Sequence, residues 1–427
     1  MPTPFRRAVV LACLAAGTVA ALVPAATGAV AQATLESVDP AGGPGDGPSG
    51  ASARREAAVS ADGRFLAFGS EAENLVVGDT NGVRDVFVRD RLLGRTTRVS
   101  LRSSGDEMDG GSGSPAISRG GRYVAFVSST AGGPRESDVF VHDDITGRTI
   151  RVSTGVRPRR GGRVSSHSPA ISGNGRFVTF AAVERIERGG EAETEPLGVF
   201  LHDRRRGATT RLGGRDARDA GPATVSADGR FVAFATRARL APRDRNRLRD
   251  AYVLDRRSGR AVLASVGANG RPANRPVEAP VLSADGRVVA FESVATTLAR
   301  GMRGRAYRVY VRDLRSRRTT LASVRPDGRP LGGDATAPAL SGDGRRVAFQ
   351  LSPRSGPIGD VDGPIGRVML RDRAGNTTTP VGTTPSGRSG FPALSADGRL
   401  LAFISSDPLL PSDDNGVMDV YTCGPLD

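Results

Sequence analysis

Lysine and tryptophan are absent from this 427-residue chain, cysteine occurs twice and aromatic residues make up only 5%. With no lysine, all 60 basic residues are arginines, set against 45 acids for a net charge of +15. So one-sided a choice reads as a composition bias acting on the whole chain. Basicity alone therefore does not point to nucleic acid, and none is expected as a partner. Beyond residue 33 no apolar run approaches the roughly 18 residues of a spanning helix, which excludes a multi-span membrane protein. Cys13 falls within the leader described below, leaving Cys423 alone. No intrachain disulfide is then available, and Cys423 reads as a small, part-buried residue of the last strand. Apolar residues reach only 38%, whereas Gly (56) and Pro (28) are plentiful, a mixture that disfavours a helical bundle and favours many short strands joined by turns.

Residues 1–33 hold Arg6 and Arg7, no acid, an apolar stretch over 8–23 and the small-x-small run Ala29-Val30-Ala31-Gln32-Ala33. This is the pattern of a secretory signal peptide. It predicts an exported chain that is extracellular, wall-associated or periplasmic. No Phe-Leu-Lys follows the paired arginines, which favours general secretion, and too few apolar residues precede Cys13 for a lipobox.

The remaining residues repeat. Ser-x-Asp-Gly-Arg followed by a β-former, Ala and Phe begins at Ser60, Ser226, Ser283, Ser341 and Ser395, with looser copies at Ser118 and Ser172, at spacings of 58, 54, 54, 57, 58 and 54. A second phrase, an apolar strand usually ending in Asp, occupies 85–90, 138–143, 198–203, 250–255, 308–313, 367–372 and 419–423, and a Thr-rich segment follows it. Each unit thus reads as four strands. The Asp-Gly step gives the φ > 0 position that a hairpin demands, and the Asp, or Asn174 in the third copy, bonds its own turn. At Gly120-Gly121 the acid is missing, which a turn tolerates and a catalytic role would not.

Seven such units without helices predict an all-β fold, a single β-propeller over 34–427 with repeat cores near 57–100, 114–153, 168–212, 222–265, 279–323, 337–379 and 391–423. The last unit lacks an outer strand, and 34–38 has the composition to complete it and latch the ring. Six blades plus an irregular unit is the alternative count. The two phrases resemble the Tol-B-like, WD-like propeller repeats of exported bacterial proteins over nearly all of the mature chain. The resemblance implies the fold and leaves function open, because scaffolds, ligand binders and enzymes share it.

Strand order puts both tight hairpins of each blade at one end of the disc and the variable connections 70–84, 129–137, 181–197, 236–249 and 351–366 at the other. Recognition is expected at that long-loop end. Arg157, Arg159, Arg160 and Arg243 are the candidate anionic contacts there. Two of the loops share Asp-x-Asn-Gly-x-x-Asp: Asp79, Asn81 and Asp85, then Asp413, Asn415 and Asp419, with a degraded copy at Asp244, Asn246 and Asp250. Alternating oxygens around a Gly turn look like the first half of a calcium loop, but Asp90 and Gly424 stand where the closing Glu belongs. These acids read as loop caps, with weak calcium binding as the alternative and no other cofactor called for. His142 and His202 occupy places where other blades carry Arg89, Arg312 and Arg371, which suggests an outward polar position. His167, before an inner strand, is expected at the mouth of the central channel and is the candidate for ligand contact or catalysis. Glycine-rich 42–47 and 110–113 lack the Lys-Ser/Thr of a phosphate loop and read as flexible.

No Gly-x-Ser-x-Gly elbow with a hydrolase domain is present. Tol-B-like propellers acting as pectate-type lyases hold a metal with a histidine cluster, which one histidine per blade does not supply. The favoured expectation is therefore a monomeric, non-enzymatic scaffold that binds a protein or an anionic envelope polymer through its long-loop face. The competing one is a lyase or hydrolase acting on an acidic saccharide at the channel mouth.

Overall fold

In the repeat phrase the serine, not the glycine alone, shapes the hairpin. In a computed structural model, which describes residues 33–50, 56–130, 133–189, 191–353, 366–382 and 387–426, Ser60 Oγ donates to Asp62 Oδ1 at 2.7 Å and accepts from Phe65 N at 2.9 Å, while Asp62 accepts from Arg64 N at 3.1 Å. Asn174 repeats this set with Ser172 and Arg176. Where the acid is lost, the Ser118 to Tyr123 bond of 2.9 Å remains. The segment assigned to the leader lies outside the described residues, apart from Ala33.

Seven four-stranded antiparallel sheets result, six of them in chain order from the inner strand outward and the seventh taking its outer strand from the start of the described chain. The first blade is Ala57–Val59, Phe65–Ser70, Asp85–Asp90 and Arg95–Arg98. The seventh is Ser389–Leu394, Leu401–Ser405 and Asp419–Cys423, completed by Ala33–Leu35 in the register Ala33↔Cys423, Leu35↔Tyr421. The chain is thus a seven-bladed β-propeller closed by its early strand, and the six-blade alternative falls away. No helix among the described residues is long and apolar enough to cross a membrane.

The Ala-Phe of the phrase builds the core. Phe68, Phe126, Phe180, Phe234, Phe291, Phe349 and Phe403, one per blade, are fully buried, each stabilising by about 2–3 kcal/mol. Cys423 is also fully buried, at 1% exposure.

The hairpins of the short-loop end knit neighbouring blades. Backbone bonds run Ala61 to Arg119, Arg119 to Gly173, Asn174 to Ala227, Ala227 to Ala284, Ala284 to Gly342, Gly342 to Ala396 and Asp397 back to Ala61, a closed ring. The turn glycine of one blade rests on the aromatic ring of the blade before it: a Cβ on Gly229 (φ +75) would stand 2.0 Å from Phe177. That ring is covered by Arg176 at 4.7 Å and by Arg256 of the next blade at 4.0 Å. Arg176 also forks onto Asp203 at 2.8 and 2.7 Å, and the same pair recurs as Arg64–Asp90, Arg122–Asp143, Arg230–Asp255 and Arg345–Asp372. A planar fork that stacks and bonds at once is something lysine does not offer. Many arginines that composition presents as solvated surface are therefore structural.

Two expectations are corrected here. His142 and His202 are buried, at 6% and 5% exposure, and their Nδ1 atoms meet Thr149 and Thr209 Oγ1 at 2.9 and 3.0 Å. Thr149 Oγ1 in turn donates to Leu101 O of the preceding connection. The equivalent Arg312 and Arg371 are equally buried, so equivalence with arginine did not mean exposure. Burial holds both imidazoles below their ordinary pKa, hence neutral. Nor is 42–47 loose: Val38 bridges to Pro44, and Asp46 accepts from Glu73 N at 2.8 Å.

Candidate functional site

Not all the variable connections of the long-loop end are loops. In the third blade the strands run on as Arg163–Ile171, Phe177–Arg188 and Glu191–Asp203, paired out to Arg188↔Glu191. The 181–197 connection is therefore an extended hairpin, and the signal for it was Gly189-Gly190 between β-capable segments. In the second blade 129–137 is likewise mostly strand, Tyr123–Thr130 and Gly133–Asp143. The 70–84 and 236–249 segments are irregular, and most of 351–366 lies outside the described residues.

The third-blade hairpin organises the arginine loop that precedes it. Glu184, fully buried, accepts from the backbone N–H groups of Arg159 and Arg160 at 2.8 Å and of Gly162 at 2.9 Å. Burial alone would raise its pKa, but the three donors hold it below the usual carboxylate range. Glu195 takes Arg160 at 2.8 Å and Arg159 at 3.7 Å, and Arg163 pairs with Glu136. Arg157 is exposed and makes no side-chain bond among the described residues. Arg243 is also exposed but belongs to the fourth-blade loop, apart from the others. Glu184 was missed in the sequence because an acid in a charged run looks solvated.

His167 sits on the third inner strand at a bulge, next to Ser168 with φ 54, and its Nδ1 lies 3.1 Å from Ser168 Oγ. Burial lowers its pKa and keeps it neutral. The same bulge position carries Gly113, Glu278, Thr336 and Gly390 in other blades. Of these Glu278 meets Arg249 at 3.0 Å, a pair the sequence did not announce. A second such pair, Arg84–Glu56 at 2.9 Å, fills the notch left by Gly69, where a Cβ would stand 2.8 Å from the guanidinium.

The Asp-x-Asn-Gly loops turn their oxygens toward donors. Asn81 and Asn415 cap Val83 N and Val417 N with their carbonyls and give their amide hydrogens to Asp85 and Asp419, both at 2.9 Å. Ser100 and Ser37 hydroxyls donate to the same two aspartates. Asp413 accepts from the Tyr421 hydroxyl, as Asp244 does from Tyr252. In the first blade Phe87 replaces the tyrosine, and Arg98 compensates, reaching Asp79 at 2.7 Å and Glu107 at 2.5 Å. Among the described residues no group of three or more His, Cys, Asp or Glu side chains is placed to hold a metal ion.

Burial pushes Asp79, Asp250 and Asp419 each up to about 6, against Arg98 for the first and the hydroxyls of Ser265 and Ser37 for the others. Between roughly pH 4 and 6 the folded chain then keeps a proton that the unfolded chain has lost, so this contribution to stability falls as pH rises through the window. Asp250→Asn removes that titration. Denaturant melts at each pH are expected to show the wild type gaining on the variant by about 1.4 kcal/mol per unit as pH falls from 6 to 4. A difference that stays flat means the carboxyl ionises normally.

Blade count, strand order and latch together define a seven-bladed propeller with an ornamented long-loop end. No protein-family model matches the sequence, and no curated protein sequence matches it. Solved structures of similar fold include an oligogalacturonate lyase in complex with manganese, at TM-score 0.59 and 12% identity over 93% of this chain and 94% of that one. The oligogalacturonate lyase of Vibrio parahaemolyticus follows at TM-score 0.54 and 12% identity over 92% and 97%. TolB from Acinetobacter baumannii has TM-score 0.43 and 17% identity over 82% and 68%. At such identities the likeness is one of fold.

Proposed function

We propose that this is an exported binding propeller that takes a partner protein or envelope polymer on its long-loop end, with the 157–163 loop as the recognition element. The observation that carries this reading is Glu184, whose carboxylate spends its acceptors on three backbone N–H groups and so fixes the loop that displays Arg157. Exposed Glu187, Glu191 and Glu193 stand on the adjoining hairpin. Mixed charge on a rigid projection suits a protein partner better than a uniform polyanion.

The test is photo-crosslinking in the producing cell from a reporter at Arg157 or Glu193. A discrete protein adduct from both positions, lost when Glu184→Ala frees the loop, is expected. No adduct from either overturns the proposal. We read Asp79, Asn81, Asp85, Asp413, Asn415 and Asp419 as loop organisers, and on that reading added millimolar calcium leaves the melting temperature unchanged.

The enzymatic alternative draws on the lyase neighbours and on His167, whose bulge position on the inner strand is taken in the fifth blade by Glu278, paired with Arg249. Among the described residues the side-chain partner of His167 is the Ser168 hydroxyl, in place of the carboxylate that orients a general base. Nor do the described residues supply a metal cluster of the kind manganese needs. Product formation from polygalacturonate that disappears in His167→Ala would reverse the choice.

A further inference from the structure

The opposite, short-loop end carries a second surface that the reading above does not use. The hairpin turns of the third to fifth blades, residues 173–176, 203–208, 227–230, 255–260, 284–287 and 313–318, hold twelve arginines and five aspartates. Asp203 and Asp255 are consumed by the forked pairs with Arg176 and Arg230, and Asp313 accepts from the N–H groups of Arg315 and Ser316. Arg205, Arg257, Arg260, Arg315, Arg317 and Arg318 are exposed and make no side-chain hydrogen bond or ion pair among the described residues. A 360 Å³ cavity lined by Arg318, Arg371 and Arg373 against the single acid Asp313 adds a recess of the same sign.

Apolar tips stand on the same end. Among the described residues five large apolar side chains are exposed, and three of them, Leu92 at 73%, Leu93 at 68% and Ile145 at 73%, sit on the outer hairpin turns of the first and second blades. Exposed Asp144 stands beside Ile145, and Asp62, Asp228, Asp285, Asp343 and Asp397 are exposed on the inner turns of the same end, each accepting the serine hydroxyl of its own turn. Because both hairpins of every blade emerge at one end, tips and arginines share one broad face. Apolar side chains beside a basic patch suit a lipid surface, where the former enter the acyl boundary and the latter meet phosphates. A soluble polyanion would use the arginines and leave the tips idle. We infer that the short-loop end docks on an anionic lipid surface, with Leu92, Leu93 and Ile145 inserted and the arginines of the third to fifth blades on headgroup phosphates. This stands independently of the long-loop proposal.

The absence of tryptophan makes the test position-specific. Leu93→Trp and Ile145→Trp each introduce the sole indole, and Glu191→Trp, exposed at the tip of the third-blade hairpin of the long-loop end, is the control. Vesicles mixing phosphatidylglycerol with phosphatidylcholine are expected to shift emission to the blue at positions 93 and 145 and not at 191, while phosphatidylcholine alone shifts neither. In the same reporter, Arg205→Gln combined with Arg257→Gln and Arg317→Gln is expected to weaken partition about a hundredfold. An equal shift at position 191, an equal response to neutral vesicles, or no shift at all overturns the inference. Binding of inorganic polyphosphate without any vesicle response also overturns it, and assigns the face to soluble polyanions instead.

Discussion

Gly229→Ala is expected to destabilise the propeller by about 2–5 kcal/mol, although it adds a single methyl group. Two costs combine. At φ +75 a Cβ is strained by about 1–2 kcal/mol. It would also stand 2.0 Å from the Phe177 ring, which cannot retreat because Arg176 and Arg256 cover it. Overpacking of this kind costs about 1–3 kcal/mol. Gly259→Ala separates the two effects: its φ is +69 but nothing lies within 4 Å of its Cβ, so only the backbone cost applies. Equal losses in equilibrium unfolding would mean that the contact between blades contributes nothing.

The second large effect concerns the latch. Glu36 follows the closing strand and is 3% exposed. It pairs with Arg91 of the first blade at 2.6 Å and accepts from Thr422 Oγ1 of the seventh at 2.6 Å. One carboxylate therefore ties both sides of the seam. Glu36→Ala takes the carboxylate from Arg91, which is a quarter exposed and keeps Gly63 O and Thr422 Oγ1, and leaves Thr422 without its acceptor; losing charge-assisted bonds of this kind costs about 1.5–3 kcal/mol. Hydrogen exchange distinguishes this from a general weakening. Amides of Asp419–Cys423 and Ala33–Leu35 are expected to lose protection first, because opening the seam does not require unfolding the other blades. Uniform loss across all blades would count against a local latch.

How much of this was written in the sequence depends on whether a residue's role repeats. Ser60, Asp62, Gly63 and Phe68 have counterparts at a fixed spacing in most units, so the turn, the strand order and the buried phenylalanines were legible, as was the latch near Thr34. Arg176 and Arg256 repeat as well, but their meaning depends on a contact between blades that no single unit contains. His142 and His202 were misplaced for a similar reason: alternation along a strand says which face a side chain takes, not whether the next blade covers it. The third-blade extension escaped because charges stand on both its faces, Glu184 between buried Ala182 and Ile186 on one and Arg185 and Glu187 on the other, which blurs the period-two pattern. Glu184 and Glu278 were illegible because only the folded chain brings their partners near.

The latch also sets an order of events for a chain emerging in sequence. Ala33–Leu35 is the first strand to appear, yet its partner Asp419–Cys423 is the last, so the earliest segment must wait for nearly the whole polypeptide. Until then the turn of the first blade lacks its seventh-blade donor, Asp397, and an open strand edge stays available to other chains. Closing so distant a pair is entropically slow, although the cost grows only with the logarithm of the intervening length. The final step of folding is therefore a single long-range event, and any holding factor that acts on this protein has its task from the appearance of Ala33–Leu35 until Asp419–Cys423 follows it.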